Sequence, residues 1–159
     1  MENTPNKNTL TKQMLKRSAI IAVVIGGALT VINQKDAVFG DADLQIGRLI
    51  LAFLTPFIVV AVSQVYGARS AHKAVTENSA INQGFTLTLF SHGILARSIT
   101  MGLIAGGANT AFAAIANMTA GQNINQLPLN LILPAVLLPV IFGALSQVLS
   151  FKRTIRQLA

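Results

Sequence analysis

AFLTPFIVVAVSQV at residues 52–65 and AVLLPVIFGALSQV at residues 135–148 are identical at eight of fourteen positions. Each is apolar throughout, carries one mid-run proline and ends in Ser-Gln-Val, and neither holds an Asp, Glu, Lys or Arg. A helix on a soluble protein shows water a charged face. A run with none belongs in hydrocarbon, where about 20 apolar residues span the bilayer. Working outward, four such blocks appear, at residues 14–32, 49–67, 98–118 and 127–151. Composition agrees: 52% of the 159 residues are hydrophobic and 11% are charged, against about 25% charged in soluble domains. The expected fold is an all-α membrane protein of four transmembrane helices. The first block is read as a retained helix rather than a signal peptide, because it exits into Asn33-Gln34-Lys35-Asp36 without a small-residue cleavage site.

The net charge of +7 is distributed as a topology signal, not as a nucleic-acid footprint. Lys7, Lys12, Lys16 and Arg17 precede the first block, and Arg69, Lys73 and Arg97 lie between the second and third. Lys152, Arg153 and Arg156 follow the fourth, whereas only Lys35 and Arg48 flank the first connecting loop. With both termini in the cytoplasm, ten basic residues lie inside and two outside, as the positive-inside rule requires.

The chain is a tandem repeat. At an offset of 80, Arg17-Ser18 falls on Arg97-Ser98, Gly26-Gly27-Ala28 on Gly106-Gly107-Ala108, and Thr30 on Thr110. A three-residue insertion then moves the offset to 83, which aligns Pro56 with Pro139 and Ser63-Gln64-Val65 with Ser146-Gln147-Val148. Two parallel helical hairpins follow: residues 1–69, a cytoplasmic linker at 70–88, and residues 89–159. Within 85–96, apolar spacings of three and four residues fit either an interfacial helix or an inward extension of the third span.

With no charge inside the spans, chemistry falls to neutral polar groups. Asn109, Thr110, Thr30 and Asn33 are the candidate substrate-binding donors, Asn109 reading equally as an interhelical hydrogen bond, and Lys35 and Arg48 are cations able either to gather an anion at the outer mouth or to pair with Asp36, Asp41 or Asp43. Gly26, Gly27, Gly106 and Gly107 read first as helix-packing positions. Pro56 and Pro139 free the carbonyls of Ala52 and Ala135 and read as kinks or hinges. Gln64 and Gln147, near the inner helix ends, read as solvated ends or as an inner vestibule. Arg17 and Arg97 read as a topology pair at the level of lipid headgroups. His72 and His92 have no partner at metal-ligand spacing. With no cysteine, phosphate-binding loop, catalytic constellation or intramembrane carboxylate, neither an enzyme, a cofactor nor proton-relay chemistry is expected.

Residues 17–69, above all Gly26 and Asn33-Gln34-Lys35-Asp36 running on through residues 49–56, resemble the small bacterial nitrate/nitrite transporters of the NrtS type. That family's pattern has glycine where Lys35 stands, and the second hairpin has Ala113-Ala114-Ile115-Ala116 at the matching place. The resemblance implies uptake of nitrate and nitrite for assimilation across a bacterial inner membrane. It adds Gln34 to the candidate binding residues. Pairing of hairpins in that family leaves room for a homo-oligomer. The rival expectation is a non-transporting accessory or assembly subunit of a larger membrane complex, which needs the packing seams but not the polar ones.

Overall fold

In hydrocarbon no water satisfies a peptide group, so each apolar run closes its own hydrogen bonds as a helix. The computed structural model describes residues 11–77, 84–119 and 129–158, and among them every element is an α-helix. These are α1 (Lys12–Asn33), α2 (Lys35–Val38), α3 (Ile46–Thr76), α4 (Phe85–Ser91), α5 (Ile94–Thr119) and α6 (Leu129–Leu158). Three helices, α1, α3 and α6, are long and apolar enough to cross a bilayer. A fourth span is reached if α4 and α5, bent from each other by 73°, are taken together. The exposed surface is rich in large apolar side chains such as Val24, Ile104 and Leu133, as suits a multi-pass membrane protein.

Helix α3 is central, packing along α1 on one side and α6 on the other, and α5 packs along α6. The close approaches are built alike in the two copies of the repeat. Pro56 and Pro139 deprive Ala52 and Ala135 of their in-helix donors. Both carbonyls face a glycine on the neighbouring helix. A methyl group added at Gly26 would lie 2.9 Å from the Ala52 oxygen, and one at Gly106 would lie 3.0 Å from the Ala135 oxygen. Without a Cβ, the helices close further than any side chain would allow at these two places. Gly27 and Gly107, by contrast, have open space within 4 Å of an added methyl. The adjoining threonines are spent locally. Thr30 Oγ1 donates to the Gly26 carbonyl at 2.7 Å and Thr110 Oγ1 to the Gly106 carbonyl at 2.8 Å.

The best-packed core lies at the end of the bundle holding the C-terminal halves of α3 and α6. Ala71, Ala74, Ile94, Val148, Phe151 and Ile155 form one buried cluster, with Val75 and Leu89 against it. The linker expected from residue 70 is therefore helical through Thr76, and Ser70, Ala71 and Ala74 are buried. Polarity misled the reading there: Gly67, Ser70, Ala71 and Ala74 are small residues spaced for close helix packing.

The two readings of residues 85–96 are separated by a sharp corner. Gly93 adopts φ 64°, a left-handed conformation that glycine enters without penalty, and it ends α4 as a distinct short helix. Arg97 pins the corner. It donates to the carbonyls of Gly93 (3.2 Å) and His92 and to Ser70 Oγ (2.8 Å), and it lies 5.7 Å above the Tyr66 ring. The headgroup reading of Arg97 thus gives way to a structural one. His92 stacks on Phe151 with ring centroids 4.5 Å apart. Burial, and after it the charge on Arg97, holds the imidazole below its ordinary pKa, so it is neutral at neutral pH.

The repeated glycine pairs make opposite predictions. Gly26→Ala and Gly106→Ala should each destabilise by about 1–3 kcal/mol, since the methyl meets a backbone carbonyl. Gly27→Ala and Gly107→Ala should leave the melting temperature in detergent unchanged. Thermal unfolding of the four purified variants checks the contrast, and equal losses across all four would contradict the packing described.

Candidate functional site

A cavity of about 290 Å³ opens between α1, α3, α5 and α6. Pro56, Pro134 and Pro139 lie in its wall. Helix α1 contributes Ile25, Leu29 and Asn33 at four-residue spacing, one face of a helix. Most of the lining is aliphatic or aromatic. The polar exceptions are Asn33, Arg48, Thr55, Asn109 and Thr110. Asn33 is exposed and Arg48 half-buried, which puts both toward the end of the cavity that carries the α1–α3 loop. Among the described lining residues there is no carboxylate, and Arg48 is the charged one.

The polar side of the cavity is asymmetric. Thr55 Oγ1 donates to Asn109 Oδ1 at 3.1 Å, bridging α3 and α5. With its oxygen engaged, Asn109 keeps its NH₂ for another partner. The repeat offsets pair Asn109 with Leu29 and Thr55 with Leu138, and both leucines also line the cavity. One wall is thus polar and its repeat counterpart apolar. Such a place sets a few neutral donors and a guanidinium opposite an apolar wall.

Beneath the cavity, past Val59, Val60 and Phe142, lies a layer of buried neutral polar side chains. Ser18, Ser63, Ser98 and Gln147 are fully buried, and Gln64, Ser146 and Ser150 nearly so. Gln64 Nε2 donates to Ser18 Oγ at 2.9 Å, and Gln147 Nε2 donates to Ser98 Oγ at 3.0 Å, so one contact recurs at both places in the repeat. Ser150 Oγ donates to the Gln64 carbonyl at 2.7 Å. At the corresponding position on α3, Gly67 packs against the Gln147 carbonyl. Both glutamines are therefore interior to the bundle, not solvated helix ends.

Of the residues expected at a site, Asn33, Arg48, Asn109, Thr110, Pro56 and Pro139 are brought together around the cavity. Thr30 is not in its wall; it is buried against its own helix. Gln34 is not either. It clasps the α1–α3 loop, its Oε1 accepting from the Gln45 N–H at 2.8 Å and its Nε2 facing the Gln45 carbonyl at 3.4 Å. Lys35 is exposed on α2. Gly26 and Gly106 are packing positions, Gly27 and Gly107 face outward, and Gln64 and Gln147 form the floor rather than the wall. Thr55 was missed. Its signal was available: like Asn109, it is a polar residue where the other copy has leucine. Asn117 lies in α5, but its side chain is outside the described residues.

No protein-family model, no curated protein and no solved structure matches the chain significantly.

The Thr55–Asn109 bond separates a structural amide from a binding one. Asn109→Leu and Thr55→Val should each lower stability slightly, with a coupling of about 1 kcal/mol in the double-mutant cycle, the worth of one neutral hydrogen bond. A coupling much larger than that would mean the pair serves packing alone. A stable, inserted Asn109→Leu protein whose solute uptake is unimpaired would remove the amide from any pathway.

Proposed function

We propose that the chain is a membrane transporter for small inorganic anions, nitrate and nitrite foremost, working in a bacterial inner membrane. In this reading the repeats form two parallel hairpins about a pseudo-two-fold axis along the membrane normal, with both termini cytoplasmic. The recurring Ser18–Gln64 and Ser98–Gln147 bonds and the paired glycine–carbonyl approaches support that symmetry. The ten-to-two distribution of basic residues supports the orientation. The cavity then opens outward.

The observation that carries the reading is the make-up of the cavity wall: Arg48 contributes to it, and no carboxylate is among its described lining residues. An anion is drawn to such a wall, and a cation is turned away. Within it, Asn109 and Asn33 offer N–H donors without a fixed charge, so an anion is held weakly enough to leave again. The volume suffices for a small ion that keeps part of its hydration, a water's share being about 30 Å³. The specific naming of nitrate and nitrite rests on the NrtS-type resemblance of residues 17–69. α3 and α6, each with prolines lining the cavity, are the elements whose movement would expose the site to the other side.

Two measurements test this. A cysteine at Thr76 should resist an impermeant thiol reagent in intact cells; ready labelling would reverse the orientation. Purified protein in liposomes should pass nitrate, and Arg48→Gln should raise the apparent KM several-fold at low ionic strength and less at high, because steering by a charge at a solvent-open mouth is screened. Tight vesicles, with no flux of nitrate, nitrite or halide, would leave the accessory-subunit reading in its place.

A further inference from the structure

From Gly84 to Ala96 the chain carries no Asp, Glu, Lys or Arg, and α4 lies inside that stretch. Its inner side is fixed: Thr88 is buried, and Leu89 packs on the cluster that holds Ala71, Ala74, Phe151 and Ile155. On the other side Leu87 and Phe90, three positions apart and so on one face, are 63% and 62% exposed. The hydroxyls of Thr88 and Ser91 turn back to the carbonyls of Gly84 and Leu87, at 2.9 and 2.7 Å. A helix standing in water shows a charged or polar outer face. The outer face of α4 is centred on an aliphatic and an aromatic side chain.

Its depth decides what meets that face. α5, 26 residues long, rises about 39 Å and so crosses a hydrocarbon core of about 30 Å without help from α4. The exposed large apolar side chains of α5 run from Ile99 through Leu103, Ile104 and Ile115 to Met118, a rise of about 29 Å that matches that core. The hydrocarbon edge therefore falls near Ile99. α5 begins at Ile94, about 8 Å beyond that edge and so among the headgroups. There Gly93 turns the chain, and α4 leaves at 73° to α5. A helix at that angle and depth runs along the bilayer surface instead of through it.

The charge around α4 fits the same place. An interfacial helix ordinarily carries its own cations; here its neighbours supply them. Arg69 and Lys73 stand at this end of α3, and Lys152, Arg153 and Arg156 at this end of α6, the two helices on which Leu89 packs. Among the described residues, Glu77 is the only acidic one at this end, and Lys73 pairs with it at 3.7 Å. Anionic headgroups are drawn to such a rim. A second copy of this chain would bring the same cations to the contact and be repelled.

We propose that α4 is a membrane-surface helix whose Leu87 and Phe90 enter the boundary between headgroups and acyl chains of an anionic leaflet. Arg97, by holding the Gly93 corner, fixes the angle at which it does so. This placement does not depend on what the cavity carries.

The chain has no tryptophan, so Leu87→Trp and Phe90→Trp each install a single reporter on an exposed position. The full-length variants are reconstituted in vesicles of phosphatidylglycerol and phosphatidylcholine whose acyl chains carry bromine either near the headgroup or near the methyl end. Both reporters should emit to the blue of tryptophan in water and lose most of that emission to the shallow bromines. Ile104→Trp, on the exposed side of α5, should lose more to the deep ones and serves as the reference. Blue emission that no bromine quenches means that protein covers the face, and red unquenched emission means that water does; either overturns the placement. Quenching strongest from the deep bromines makes α4 part of the span and overturns it as well. Bromines carried on phosphatidylglycerol should quench more than the same bromines on phosphatidylcholine, and equal quenching overturns the preference for an anionic leaflet. Either reporter carries the test if the other variant does not fold.

Discussion

The structure depends on the absence of water around its backbone. Every polar group inside the bundle has to be met by another part of the chain, and the two mid-helix prolines make that hardest by releasing the carbonyls of Ala52 and Ala135. Gly26 and Gly106 answer them by letting α1 and α5 come close enough to cover each freed oxygen. The close spacing of these helix pairs follows. The threonines beside these glycines, and Ser18 and Ser98 below, obey the same rule by donating to carbonyls of their own helices.

Against that shared frame, the features suited to binding are the places where the copies differ. Asn109 stands for Leu29, Thr55 for Leu138, and Gly143 for Val60. The first two differences make one cavity wall polar and leave the other apolar. The third places a glycine against Ser63 and Val59 where the other copy has a buried valine. A repeat supplies a stable scaffold twice over. Substitution in one copy alone then adds a polar group without disturbing the contacts that both copies need, since a neutral side chain at a cavity wall displaces no packing partner.

The opposite end of the bundle is organised to stay put. Arg97 spends its donors on the Gly93 corner and on Ser70 while resting over Tyr66. Neutral His92 stacks on Phe151 inside the main apolar cluster. α4 is thereby held at a fixed angle to α5, with Leu89 against the core and Leu87 and Phe90 exposed. A cation that sequence pattern treats as a membrane anchor is here a cross-brace, because guanidinium has enough donors to serve three elements at once.

The sequence by itself determined the apolar helices, their repeat and the polar residues that had to matter. Block length, charge distribution and internal identity are written in the order of residues, and hydrocarbon permits one backbone solution for each block. It also carried Asn109, Arg48 and the paired prolines to notice. Only the tertiary structure decided which of these meet. Thr30 and Thr110 share a position in the repeat, yet one is buried on its own helix and the other reaches the cavity wall. Gln34 went to a loop clasp, and Ser70, Ala71 and Ala74 left an expected linker for the core. Thr55 acquired its role from a neighbour fifty-four positions away. Periodicity along one helix gives the face a residue occupies, but the occupant of the opposite face is set by how bent helices pack. That depends on prolines and glycines acting together across the bundle.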